Sequence, residues 1–264
     1  MAYPVVMIHG MWCTAASWKR VAGILAARGY DCFVPSLLAH DDSTDQPLKV
    51  RSLGLRDYVV ALEQQIAAHR FVRPPILIGH SMGALLAQQL ATRIQPLAMV
   101  LLTPAPPRGI NALTPAVIGA FAPWMFSGMF WRNAHKPGFA HARRFAFNGV
   151  PEDRHRALYE NLVHESGRAA FEIGMWPLDF ARAAAVDTAK VRCPVYIVSC
   201  GKDRLTPASV VRKLAKRYPQ AAQRHYAERG HWVIDDEETE EMMHAICGWL
   251  RPFEQRIERA VPSS

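Results

Sequence analysis

Five residues, Gly79-His80-Ser81-Met82-Gly83, constrain this chain more than any other feature. They follow directly on an apolar run, Ile76–Ile78, and lead into Leu85, Leu86, Gln89 and Leu90, which recur at helical spacing. A serine with glycine two residues away on either side, between strand and helix, marks a very sharp turn. A Cβ at either glycine position would meet neighbouring backbone. Such a turn lifts Ser81 Oγ above the end of a sheet, at a helix N-terminus that favours developing negative charge.

The rest of the chain agrees with a sheet of this kind. Apolar runs of strand length lie at Val5–Ile8, Cys32–Val34, Ile76–Ile78, Met99–Leu102, Val195–Val198 and, weakly, Arg224–Tyr226. Several are apolar at every position, as parallel strands buried on both faces are. Helical patterns separate them. Leu55, Val59, Leu62 and Ile66 form one apolar face. Thr206-Pro207 offers an N-cap and an N1 proline for a helix through Leu214. Asp235 or Asp236 can cap a last helix through Met243, Ile246 and Leu250, and the tail after Pro252 reads as a further short helix. The expected fold is α/β: a doubly wound, mainly parallel six-stranded sheet flanked by helices. From Pro104 to Ala185 no strand-like run occurs. Residues 104–185 are therefore expected to form a helical cap inserted after the fourth strand, on a core of residues 1–103 and 186–264.

Composition removes several alternatives. With 264 residues, half of them hydrophobic, the chain suits one large domain with a full core. The 5 cysteines, at positions 13, 32, 193, 200 and 247, form no CxxC and no Cys/His cluster. Reduced thiols and a cytoplasmic location are expected. Val5–Ile8 has no basic n-region before it, so no signal peptide is expected. The uncharged stretch Pro115–Trp131 is broken by Gly119, Pro123 and Gly128 and falls short of the ~20 residues of a membrane span. The net charge of +8 favours anionic partners at long range. No nucleic-acid motif and no run of five or more Lys/Arg is present, so the basic residues read as a general surface and no nucleic-acid partner is expected.

A serine hydroxyl needs a base to take its proton, and the base needs an acid to orient it. The expected chain order is Ser, acid, His. Asp203 lies in Gly201-Lys202-Asp203-Arg204-Leu205-Thr206-Pro207, just after the strand Val195–Val198, where ligands bind in open α/β sheets. The rival acids Asp179 and Asp187 precede that strand. His231 follows the last weak strand, in Arg229-Gly230-His231-Trp232. An acyl-transfer intermediate also needs two N–H donors. Met82, after the nucleophile, supplies one. The loop His9-Gly10-Met11-Trp12 supplies the other, with Met11 preferred over Trp12. His9 is read as ordering that loop, and Cys13 as packing or a site of chemical inhibition.

These residues together resemble the α/β-hydrolase superfamily. The likeness covers the sheet and its loops: His9-Gly10, then Ser36-Leu37-Leu38-Ala39-His40-Asp41 in the place of a Pro-Gly-His-Gly loop, then the serine motif, Asp203 and His231. The first strand starts near residue 4, without the β-hairpin that larger members carry. The chain is thus similar to compact six-stranded members, among them plant methylesterases, hydroxynitrile lyases and many bacterial esterases. Serine at position 81 argues against haloalkane dehalogenases and epoxide hydrolases, which use aspartate, and His80 differs from the Asn frequent in C–C bond hydrolases.

The resemblance implies a serine hydrolase acting on a carboxylic ester, or a thioester, lactone or amide, of a hydrophobic small molecule. It needs no metal or organic cofactor. Two other readings are cofactor-free lyase or perhydrolase chemistry, and a small-molecule receptor. Hydroxynitrile lyases use a pocket lysine, and Lys202 is out of register for that role. Trp12, Trp124, Phe126, Phe130 and Trp232 are the expected substrate-binding residues; Trp124, Phe126 and Phe130 belong to an apolar segment, Phe121–Trp131, also rich in Met125 and Met129, which reads either as a pocket wall or as the face that buries the cap against the sheet. Arg132, Lys136, Arg143, Arg144, Arg154 and Arg156 read either as a solvated cap face or as a site for an anionic group of the substrate.

Overall fold

The computed structural model describes residues 2–125 and 127–260. Six strands form one sheet: β1 (Pro4–Ile8), β2 (Asp31–Phe33), β3 (Ile76–His80), β4 (Ala98–Leu102), β7 (Val195–Cys200) and β8 (Ala222–Tyr226). Their order is β2-β1-β3-β4-β7-β8, and every pairing is parallel. Every residue of β1, β3 and β4 is buried, which is why these strands are apolar throughout. The edge strands β2 and β8 are half exposed and carry polar residues.

Helices cover both faces. Helices α1 (Lys19–Ala26) and α10 (Thr239–Ala260) bury Val21, Leu25, Met242, Met243, Ile246 and Leu250 against one face. Helices α3 (Leu55–His69), α4 (Met82–Ala91) and α9 (Ala208–Ala215) pack on the other, with Leu62, Leu86 and Leu214 fully buried. A short α2 (Gln46–Val50) precedes α3. Between β4 and β7 lie α5 (Pro115–Met125), α6 (Phe139–Phe145), α7 (His155–Glu160) and α8 (Gly167–Gly174).

This topology converges on one edge. The chain leaves β1 toward β2 on one side and returns as β3 on the other, so the switch point falls between β1 and β3. Ile8 is in register with Gly79, and His80 with Leu102. The loops that follow Ile8, His80 and Leu102 therefore emerge side by side. Val198 pairs with Leu102, and Cys200 with Tyr226, which brings the loops after β7 and β8 to the same edge.

Three local expectations change. The 104–185 segment holds a two-stranded antiparallel ladder, β5 (Ala134–His135) with β6 (Glu165–Ser166), too short to leave an alternating pattern. Pro252 sits inside α10 and starts no new helix; tertiary packing of Met243, Ile246 and Leu250, all fully buried, outweighs the lost hydrogen bond. Thr206 is not the N-cap of α9. That place falls to Pro207, and the Thr206 hydroxyl is used elsewhere, as described below. Among the described residues no helix is long and apolar enough to cross a membrane.

Candidate active site

Ser81 stands between β3 and α4 with φ = 56° and ψ = −120°. A non-glycine residue in this region is strained and must be held by its surroundings. Its amide donates to Leu102 O at 3.0 Å, and its carbonyl accepts from Ala84 N and Ala105 N at 3.0 and 2.9 Å. The flanking glycines are required by contact. A Cβ at Gly83 would lie 2.1 Å from Ile8 O, and one at Gly79 would lie 2.4 Å from Gly83 O. The turn also approaches the loop after β1 closely, since a Cβ on Gly10 would lie 2.9 Å from Ser81 Cβ.

Asp203 and His231 meet in the loops after β7 and β8. His231 Nδ1 lies 2.9 Å from Asp203 Oδ2, and both side chains are buried. An ionised carboxylate only accepts, so Nδ1 carries a proton toward Asp203. Leu205 N–H and Thr206 N–H each donate to Asp203 Oδ1 at 2.8 Å. Burial pushes the Asp203 carboxyl up, but His231 and the Thr206 hydrogen bonds outweigh it and hold the group below the usual carboxylate range.

Sequence reasoning missed the residues that hold this pair. Thr206 Oγ1 lies 2.8 Å from Asp203 Oδ2 and 2.9 Å from Thr103 O, so its one proton serves either acceptor. His231 O accepts from His80 Nε2 at 3.0 Å and from Thr103 Oγ1 at 3.3 Å. Burial, with His231 close by, pushes His80 down to about 3, so it is a neutral donor. Position 80 was legible only as the variable residue of the serine motif, and Thr103 carried no signal beyond the end of a strand. Asp179 and Asp187 are occupied elsewhere: Asp179 accepts from Ala181 N and Ala183 N, and Asp187 from Ala189 N.

One cavity gathers Gly10, Met11, Trp12, Cys13, His80, Ser81, Met82, His231 and Trp232. Met82 is the first residue of α4, so its amide is one of the helix's orphan donors. Among the described residues the Met11 amide has no acceptor. His9 Nε2 accepts from Leu37 N at 3.3 Å and its Nδ1 lies 3.1 Å from Gly10 O; buried, it is pushed down to about 3 and orders the loop as a neutral ring. In the loop that departs from Pro-Gly-His-Gly, Ala39 adopts φ = 54°, and His40 Nε2 reaches the buried Glu165 at 3.0 Å. Cys13 is buried, and burial pushes its thiol up to about 12.

The other cavity walls are apolar, with Val117, Phe121, Met125, Phe130, Leu162 and Ile173 from the 104–185 segment. Trp12, Phe130 and Trp232 line the cavity with Ser81. Trp124 does not: it lines an adjoining pocket and packs on Trp12 at 5.5 Å between ring centroids. Phe126 lies outside the described residues. None of Arg132, Lys136, Arg143, Arg144, Arg154 and Arg156 lines the cavity. Arg143 faces Glu152 at 3.0 Å and Arg154 faces Asp235 at 2.7 Å. Lys202, half exposed, pairs with Glu228 at 2.6 Å, away from the cavity. Among the described residues no group of three or more His, Cys, Asp or Glu side chains is placed to hold a metal ion.

The chain belongs to the α/β hydrolase family, whose model matches residues 5–245. Among curated proteins it is similar to the magnesium-chelatase 30 kDa subunit of Rhodobacter capsulatus, 26% identical over 93% of this chain and 86% of that protein. Among solved structures it resembles a methylesterase from Arabidopsis, with a TM-score of 0.72 at 14% identity over 94% of this chain and 98% of that one. It also resembles a monoacylglycerol lipase from Paleococcus ferrophilus, with a TM-score of 0.68 at 20% identity over 95% of this chain and 94% of that one. Likeness at this identity concerns the fold.

Proposed function

We propose that this chain is a serine hydrolase that cleaves carboxylic esters of an uncharged, apolar small molecule. The observation that carries the reading is that Ser81, His231, Met11 and Met82 all line one cavity, with His231 Nδ1 2.9 Å from Asp203 Oδ2. The esterases and lipases of the same fold support it. His231 Nε2 takes the Ser81 proton as Oγ attacks the ester carbonyl. The Met11 and Met82 N–H groups hold the oxyanion. His231 then protonates the leaving alkoxide, and water releases the acyl group from Ser81 by the same route. Asp203 keeps His231 in the productive tautomer and stabilises its cation.

Residues 104–185 act as a cap in this reading and supply most of the apolar wall. Such a wall favours an uncharged acyl or alkyl group, because an ion placed there finds no partner. Thioesters and lactones of similar shape fit the same machinery.

A fluorophosphonate probe tests the reading directly. It should label one site, Ser81, and the Ser81→Ala protein should take up none. Labelling of another residue, or labelling that survives Ser81→Ala, would overturn it.

A further inference from the structure

Trp12 occupies an unusual position beside the cavity. Cys13 N–H donates to Gly10 O at 3.4 Å, which closes a turn over Met11 and Trp12. Trp12, at the third position of that turn, has φ = 63°. A positive φ there is ordinarily left to glycine or asparagine. A buried tryptophan keeps it only if its surroundings over-determine the conformation.

Those surroundings belong to the 104–185 segment. Trp12 O accepts from Val163 N–H at 2.7 Å. Trp12 Nε1 donates to His135 O at 3.0 Å. The indole also packs against Phe121 and Trp124, with ring centroids 5.9 and 5.5 Å away. Both polar ends of one strained residue are thus pinned by the segment above the sheet. The adjacent residue is Met11, which lines the Ser81 cavity and whose amide has no acceptor among the described residues.

We propose that Trp12 is a positioning residue that couples docking of the 104–185 segment to the oxyanion hole. With both bonds made, the turn holds its left-handed corner and Met11 N–H stays aimed at the reacting carbonyl oxygen. With them broken, the corner relaxes toward negative φ and the donor turns away. The proposal rests on the esterase reading above.

The test is kcat and KM on p-nitrophenyl butyrate, per Ser81 titrated to completion with fluorophosphonate so that unfolded protein is not counted. Trp12→Phe keeps an aromatic wall but loses the indole N–H, and should lower kcat several-fold with KM within about two-fold. Trp12→Ala keeps the strained corner and the backbone bond to Val163 but loses the indole bond to His135 and the packing on Phe121 and Trp124, and should lower kcat by on the order of ten-fold or more, part of the ~10²–10³ that loss of a whole oxyanion donor costs. Trp12→Gly removes the strain, and should recover kcat several-fold over Trp12→Ala although its side chain is smaller. If Trp12→Ala does not fold, the Phe and Gly variants decide. Effects confined to KM, or a glycine variant no faster than alanine, would overturn the proposal. Turnover that survives Ser81→Ala would instead sink the esterase reading itself.

Discussion

Asp203 Oδ2 lies 2.9 Å from His231 Nδ1, while the other oxygen of the same carboxylate is taken by the Leu205 and Thr206 amides. Both oxygens of the Asp203 carboxylate are therefore held in place. Asp203→Asn should cut ester kcat by about 10⁴, because an amide stabilises the wrong histidine tautomer. Thr206→Val removes only the hydroxyl, and should cost roughly ten-fold in kcat, the range of one hydrogen bond to a charged group. Steady-state rates at neutral pH check both. Asp203→Asn with near-normal kcat would mean that another acid serves His231.

Acid should destabilise this protein earlier than its carboxylates require. Buried His9 and His80 are both pushed from 6.5 down to about 3. Below pH 6.5 the unfolded chain binds protons at these sites and the folded chain does not. Stability is thus complete above pH 6.5 and falls as pH drops from 6.5 toward 3. Each site contributes a slope of about 1.4 kcal/mol per pH unit, and the pair about 3. Thermal melts between pH 7 and 5 should show a steep fall in Tm, and His80→Gln should flatten it by about half. A Tm unchanged across that range would contradict the buried neutral assignment.

Gly83→Ala should prevent normal folding of the elbow. Its Cβ would stand 2.1 Å from Ile8 O and 2.5 Å from His9 O, both backbone atoms of the central strand and the loop beyond it. Overpacking against side chains costs about 1–3 kcal/mol, and backbone yields less readily. The expected result is insoluble protein or a clearly lowered Tm, with Ser81 labelling lost. A variant that melts like wild type would show that the elbow tolerates more room than the contacts allow.

The apolar wall should set chain-length preference. Val117 on α5 and Ile173 on α8 both line the cavity and are largely buried. Val117→Trp fills part of that space and should move the preferred acyl chain to a shorter length, while acetate turnover changes little. Rates across a p-nitrophenyl ester series report the shift. An unchanged optimum would place the acyl chain in another part of the cavity.

Much of this was legible in sequence because it is local. The central strands are apolar at every position, and the serine motif carries its own turn chemistry. Asp203 and His231 follow from their place after a strand. The edge strand β8 was weak because its outward residues are polar. The residues missed are those whose roles depend on distant partners. Thr206 looked like a helix cap, yet its hydroxyl reaches Thr103 O, 103 residues away in sequence. Thr103 and His80 meet His231 only through the sheet. The β5–β6 ladder is two residues long per strand, below any periodicity. Trp12 was read as a wall residue; its left-handed backbone is visible only once Val163 and His135 are in place.

The most direct test is the initial rate on p-nitrophenyl esters from acetate to palmitate, with wild type and Ser81→Ala measured side by side. Turnover should peak at one chain length and fall by on the order of 10⁴ or more in Ser81→Ala, leaving only what binding and the oxyanion hole supply. Equal rates from the two proteins, or no turnover of any ester by wild type, would contradict the esterase reading.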